Sequence, residues 1–221
     1  MLNRDVFSFL NQLIENNNRD WFKVNKSTHD ECRNNVIEFS EQLYNLLKKN
    51  NQLDNYKVFR IYRDVRFSKN KTPYKNHFGV AFHRTKPLYR GGYYIHFEPK
   101  NSFIACGFWK PEKNDLFRIR KEIEADYDCF KSVVNHPLLI KKWGSLKGDK
   151  LKTAPKGFER NHPGIDLLRF KQFIYMKRIK DDFFFNEEFI QWVEQQFEAV
   201  KPMVNYMGDI LTTNLNGESV L

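Results

Sequence analysis

The sequence predicts an α+β protein: a central antiparallel sheet, a meander of about four strands plus a later strand, flanked by N- and C-terminal helices. Three observations point there. Apolar residues recur at the helical interval near both ends, as Val6, Phe9, Leu10, Leu13 and Ile14, and again from Phe189 to Val204. Between the ends, from residue 57 to residue 109, the period drops to two, as side chains alternate across a strand. The connections inside that stretch, Ser68–Asn76, Thr85–Gly91 and Pro99–Asn101, are too short for the crossover that parallel neighbours need.

From the N-terminus, residues 4–16 form a short amphipathic helix, and Asn18 and Asp20 are caps for the next helical segment. A longer helix runs from Ser27 to Lys49 with Val36, Phe39, Leu43, Leu46 and Leu47 inward, and Lys48 and Lys49 complement its C-terminal dipole. Strands are expected at 57–67, 77–85, 92–98 and 102–109. Pro111 ends the meander, a helix spans Lys113–Asp126, and Asp128–Asn135 is helical up to a stop before Pro137. Residues 141–166, rich in Lys, Gly and Pro, read as an ordered basic excursion. A strand at 168–179 and a helix over Glu187–Met207 complete the chain. There is no internal repeat, low-complexity segment or linker, so residues 1–221 are read as one domain.

Composition narrows the class. Twenty-one Phe, 10 Tyr and 4 Trp supply a sizeable core. A mean hydropathy of -0.68 and the lack of a long apolar run argue against a membrane partner. The first residues carry no signal-peptide pattern. Cys32, Cys106 and Cys129 are few, odd in number and far apart, which reads as reduced thiols in the cytoplasm.

The net charge of +10 is unevenly spread. Residues 57–90 hold ten Lys/Arg against one acid, and residues 141–180 hold twelve against three. Residues 181–221 hold one Lys against eight acids. Such polarity produces an electropositive face for phosphate-bearing partners, or else the acidic C-terminal helix lies over the basic segments and neutralises them.

The densest basic stretch is Arg60-Ile-Tyr-Arg63-Asp64-Val-Arg66-Phe67-Ser-Lys-Asn70-Lys71-Thr-Pro73-Tyr74-Lys75. Other distinctive blocks are Asn16-Asn17-Asn18-Arg19-Asp20-Trp21-Phe22, Gly107-Phe-Trp109-Lys-Pro111, Ile119-Arg120, Leu151-Lys152-Thr-Ala-Pro155-Lys-Gly157-Phe, His162-Pro163 and Leu168-Arg-Phe-Lys171. Together they resemble an uncharacterised, mostly bacterial family with fungal relatives, domain-of-unknown-function family 2461. The basic stretch resembles its signature R-x-x-R-D-x-R-F-x-x-x-[DN]-K-x-x-Y, with Asn70 as one of the two residues allowed there. The resemblance covers nearly the whole chain. It implies a compact bacterial domain and no established activity.

On an extended strand Arg60, Tyr62, Asp64 and Arg66 share one face, and Phe59, Ile61, Arg63, Val65 and Phe67 share the other. Arg63, alone among apolar neighbours, needs a carboxylate, carbonyls or a bound anion. Asp64 is placed to orient one arginine while another meets a ligand through its planar fork. The alternative is a closed ion-pair network that braces the sheet. The adjoining loop offers Lys71, Tyr74 and Lys75 but no glycine, so it is not a Walker loop; it closes over a phosphate or is a solvated hairpin tip. Lys171 sits awkwardly among Leu168, Phe170 and Phe173 unless it reaches an anion.

Of the six histidines, His77 and His83 fall on one face of the second strand and His96 on the third, near enough for a Tyr62–Asp64–His group in acid–base work. His162 is either part of that site or a turn cap. No histidine pair has zinc-helix spacing, and there is no Cys–His cluster, dinucleotide fingerprint or nucleophile elbow, so no metal and no cofactor are expected. The favoured function is binding, or turnover, of a phosphate- or carboxylate-bearing small ligand by Arg60, Arg63, Arg66, Lys71, Tyr74, Lys75 and Lys171, with Asp64 and His77 as catalytic candidates. The alternatives are nucleic-acid binding, with Tyr93, Tyr94 and Phe103 as stacking surfaces, and a purely structural network in a protein-interaction module. Oligomeric state has no signature in the chain.

Overall fold

The computed structural model describes residues 1–221. Helix α1 (Arg4–Glu15) starts where the Asn3 side chain accepts a hydrogen bond from the Asp5 amide, and it buries Val6, Phe9, Leu10 and Leu13. A short turn leads to α2 (Arg19–Val24), capped by Asn18, and α3 (Lys26–Lys48), which buries Val36, Phe39, Leu43 and Leu47. Five strands come next: β1 (Leu53–Val58), β2 (Phe78–Arg84), β3 (Gly92–Phe97), β4 (Phe103–Phe108) and, after four helices, β5 (Phe173–Arg178). Each pairs antiparallel with the next, in the order β1-β2-β3-β4-β5. The intervening helices are α4 (Lys113–Ala125), α5 (Tyr127–Val134), α6 (Pro137–Trp143) and α7 (Ile165–Leu168). A 3₁₀ turn (Asp181–Phe185) then leads to α8 (Phe189–Thr212), which runs through Pro202.

The register sorts the sheet into two faces. Val80, Phe82, Tyr93, Ile95, Phe97, Ile104, Phe108, Phe173 and Tyr175 point into a continuous cluster of 46 buried residues shared with α1, α3 and α8. The opposite face carries Ala81, Tyr94, His96, Phe103 and Ala105 and forms an apolar groove of about 530 Å³ with Phe59 and Trp109 on its walls. No helix is long and apolar enough to cross a membrane.

Three expectations need correction. The strand read at 57–67 is displaced: β1 occupies Leu53–Val58, and Arg60–Phe67 is irregular apart from one bridge between Tyr62 and Tyr74. The strand read at 168–179 begins only at Phe173, so Lys171 lies outside it and is exposed. Pro137 ends α5 but also opens α6, because a proline in the first helical turn gives up an amide that has no helical partner anyway.

The acidic C-terminal helix meets the first basic segment only at its end, where Arg84 donates to Asn205 and feels the charge of Asp209. None of the nine ion pairs joins an acid of residues 181–221 to a Lys or Arg of residues 57–90.

Candidate functional site

Residues between β1 and β2 fold back on themselves as a two-armed flap. The arms are joined by Arg63 N–H to the Pro73 carbonyl at 2.9 Å and Lys75 N–H to the Ile61 carbonyl at 2.7 Å. Ile61 is buried beneath it, and the Tyr74 ring stacks on Phe22 of α2 at 3.9 Å between centroids. Asn17, in the turn between α1 and α2, clamps the outer arm. Its amide donates to the Tyr74 carbonyl at 3.0 Å, and its oxygen accepts from the Tyr74 N–H at 3.1 Å. One side chain thus imitates a strand neighbour and holds the flap against the N-terminal helices.

Burial along the inner arm alternates as a strand would. Ile61, Arg63 and Val65 are drawn inward, while Arg60, Tyr62, Asp64 and Arg66 are exposed. Phe67 breaks the pattern at 96% exposure.

Beneath the flap is a polar cavity of about 660 Å³ whose walls include Asn17, Arg63, Asp64, Asn70, Thr72, Lys75 and His77. Arg63 is the decisive group. Its fork meets only hydroxyls, Thr72 Oγ1 at 2.5 Å and Ser68 Oγ at 3.5 Å, and it belongs to no ion pair. Asn70 holds Thr72 in place by accepting from both its N–H and its hydroxyl, at 2.9 and 2.8 Å. The Thr72 hydrogen is therefore turned toward Asn70 and a lone pair toward Arg63. Lys75 donates to the Arg60 carbonyl at 2.8 Å, and burial, then the nearby Arg60 charge, lowers its pKa.

The nearest carboxylate is already engaged. Asp64 receives Arg66 Nε at 3.0 Å and Nη2 at 2.7 Å, and this pair holds the Asp64 carboxyl below the usual carboxylate range. Arg66 itself is 77% exposed and does not line the cavity. Lys71 donates to the Val65 and Arg66 carbonyls at the flap tip, and Arg60 too lies outside the cavity wall. Of the sequence candidates, the structure therefore brings together Arg63, Asp64, Tyr74, Lys75 and His77, and it leaves Arg60, Arg66, Lys71 and Lys171 outside. Tyr62 packs on Phe22 and Tyr74 rather than joining an Asp64–His group. His162 accepts from the Gly164 N–H at 2.9 Å and caps a turn.

Asn17, Asn70 and Thr72 were not singled out by their chemistry. Asn17 lies in the Asn16–Asn18 run and Asn70 at the Asp/Asn position of the basic stretch, and those positions are the only trace of their roles.

Behind the cavity, His77 leads into β2 and faces β3. Its ring lies 4.1 Å from that of His96 between centroids, and the ligand atoms of His77, His96 and Glu98 all fall within 4.8 Å of one another. His96 contacts the Tyr94 hydroxyl through Nδ1 at 2.9 Å and Glu98 through Nε2 at 3.1 Å. Burial, then the neighbouring His96, lowers the His77 pKa to about 4, so its ring is neutral near pH 7. His83, further along β2, is exposed.

The family described as "Conserved hypothetical protein (DUF2461)" matches residues 5–206. The chain belongs to this family. No curated protein and no solved structure matches it. The family match spans the flap, the sheet and most of α8, so the cavity lies wholly inside the family region.

Proposed function

We propose that the protein binds a small phosphate- or carboxylate-bearing ligand in the cavity beneath the β1–β2 flap. One observation carries this reading: Arg63 is a half-buried guanidinium on the cavity wall with hydroxyl partners and no carboxylate. A guanidinium withdrawn from water costs several kcal/mol unless a negative group compensates it. Its fork matches the paired oxygens of a phosphate or carboxylate. Lys75 adds a second positive charge on the same wall, and Asn17 and Asn76 add amides for orientation. Asp64, anionic and held by Arg66, acts as an orienter of the flap rather than as a proton acceptor. The three unpaired thiols, two of them buried, support a reducing cytoplasmic setting.

The nucleic-acid reading is weaker. Tyr93 is in the core with its hydroxyl donating to Asn51, which removes it as a stacking surface, and Phe103 has one ring face already taken by His96 at 4.6 Å.

The test is thermal unfolding with inorganic phosphate and a panel of phosphorylated and carboxylated metabolites. Wild type should be stabilised by at least one of them, and Arg63→Met and Lys75→Met should lose that shift. An equal shift in Arg63→Met, or none in wild type across the panel, overturns the proposal.

A further inference from the structure

We propose that His77, His96 and Glu98 form a binding site for a divalent first-row transition metal, zinc(II) or iron(II) by donor type, on the open face of the sheet. This site stands on its own residues and does not require the anion reading.

The register assembles it. Phe78 pairs with Phe97 and Gly79 with His96, so His77 lies across from Glu98 and diagonal to His96, all on one face. The three donor atoms lie within 4.8 Å of one another. Two imidazoles and one carboxylate are a donor set of intermediate softness that suits zinc(II) and iron(II) and leaves coordination positions open. A cation bonded at about 2.0–2.2 Å needs its donors about 3–4 Å apart, so closing on it requires a small inward turn of one ring. His77 can make that turn, because its ring is held by stacking and neither ring nitrogen has a hydrogen-bond partner in the chain.

The surroundings are those of a supported site. The ring nitrogen of a metal-bound histidine that faces away from the metal is usually fixed by a hydrogen bond. His96 has that arrangement available: with Nδ1–H donating to the Tyr94 hydroxyl, Nε2 is left as a lone pair toward Glu98 and His77. Phe103 stacks on the His96 ring at 4.6 Å and 17°, which fixes its plane. Asn101 donates at 2.5 Å to Glu98 Oε2, the same oxygen that meets His96 Nε2, and the Glu98 N–H donates to Ser102 Oγ at 3.0 Å, which fixes the backbone that carries the carboxylate. Gly79 completes the site by omission: a Cβ there would lie 2.4 Å from the Tyr94 hydroxyl oxygen and push that hydroxyl off His96.

Position adds an argument. His77 lines the polar cavity and His96 lines the apolar groove. A metal held between them would lie between the polar cavity and the apolar groove.

The test uses the full untagged chain, stripped with a chelator and then titrated with Zn²⁺ by calorimetry and with Co²⁺ by its visible absorption. The expected result is one equivalent, weakened at least about tenfold by His77→Gln and by Glu98→Gln. His77→Gln changes a half-exposed ring, and an unchanged melting temperature for the metal-free variant shows that it folds. Arg63→Met should bind metal as wild type does, which separates a failure here from a failure of the anion reading. No saturable binding, or binding of equal strength in folded His77→Gln and Glu98→Gln, overturns the proposal.

Discussion

Arg63 and Arg120 are both partly buried arginines, and the difference between them separates a brace from a receptor. Arg120, on α4, places Nε on the Leu168 carbonyl at 2.8 Å and Nη2 on the Phe170 carbonyl at 3.0 Å, tying the helix to the approach to β5. Arg118, two residues earlier, is closed in the same way by the Thr213 and Asn214 carbonyls and by Glu122. These forks already donate to oxygens that the fold itself fixes, so the paired N–H donors that a visiting anion would need are taken. Arg63 has two hydroxyls, one of them at 3.5 Å, and a cavity in front of it. Arginine density in a sequence therefore does not separate the two uses; the oxygen partners do.

The comparison is broken most sharply at the brace. Arg120→Met leaves two carbonyls without their donor, and we expect it to cost about 2–3 kcal/mol in urea unfolding, since hydrogen bonds from charged groups are the stronger kind. Its ligand response at the flap should stay intact. A loss of ligand response without loss of stability would mean that the two arginines have been assigned the wrong way round.

This contrast also shows what the sequence disclosed. The helices at both ends and strands β2 to β4 were legible, because one face of each is buried and the apolar period survives. The segment 57–67 misled because Phe59, Ile61, Val65 and Phe67 alternate as in a strand. The partner for that alternation is not a sheet neighbour but the α1–α2 turn, through Asn17, Phe22 and Tyr74. Lys171 looked stranded in an apolar run only because the run was read as a strand from residue 168; the turn after α7 leaves it in solvent. Of the His77–His96–Glu98 group, the sequence placed the two histidines on neighbouring strands but missed Glu98 and the pairing that joins all three, for a different reason. The group is created by cross-strand register, and register is set by turns whose geometry no single-chain spacing reveals.

A smaller effect sharpens the comparison through pH. The flap stands on an aromatic stack, Tyr74 on Phe22 and Phe22 against His29 at 5.1 Å. His29 Nδ1 contacts Asp30 at 2.8 Å, while Nε2 is buried without a partner. Burial lowers its pKa in the folded state, opposed by Asp30 and helped by Lys26 and Arg33. The folded protein thus binds fewer protons than the unfolded chain below the ordinary histidine value of 6.5. The contribution is complete above that value and is lost as pH falls through the depressed one. His77, His83 and His96 are lowered as well and act with the same sign. Replacing His29 by Leu should flatten the fall in urea midpoint between pH 7.5 and pH 5 relative to wild type. An identical slope in the two proteins would remove His29 from the account and leave the strand histidines to explain the whole of it.

The smallest effect on stability is the most telling. Arg63→Met removes a charge that no carboxylate compensates and keeps a side chain of similar length, so the hydroxyls of Thr72 and Ser68 lose a partner while a half-buried guanidinium disappears. These contributions oppose each other, and a residue kept for binding commonly costs the empty protein stability. We expect the unfolding free energy to change by less than about 1 kcal/mol, with a rise as acceptable as a fall. A brace behaves otherwise: Arg120→Met should lower stability clearly. If Arg63→Met were as destabilising as Arg120→Met, the flap arginine would be a strut whose true partners are the two hydroxyls. The cavity before it would then be a gap left by the flap's packing.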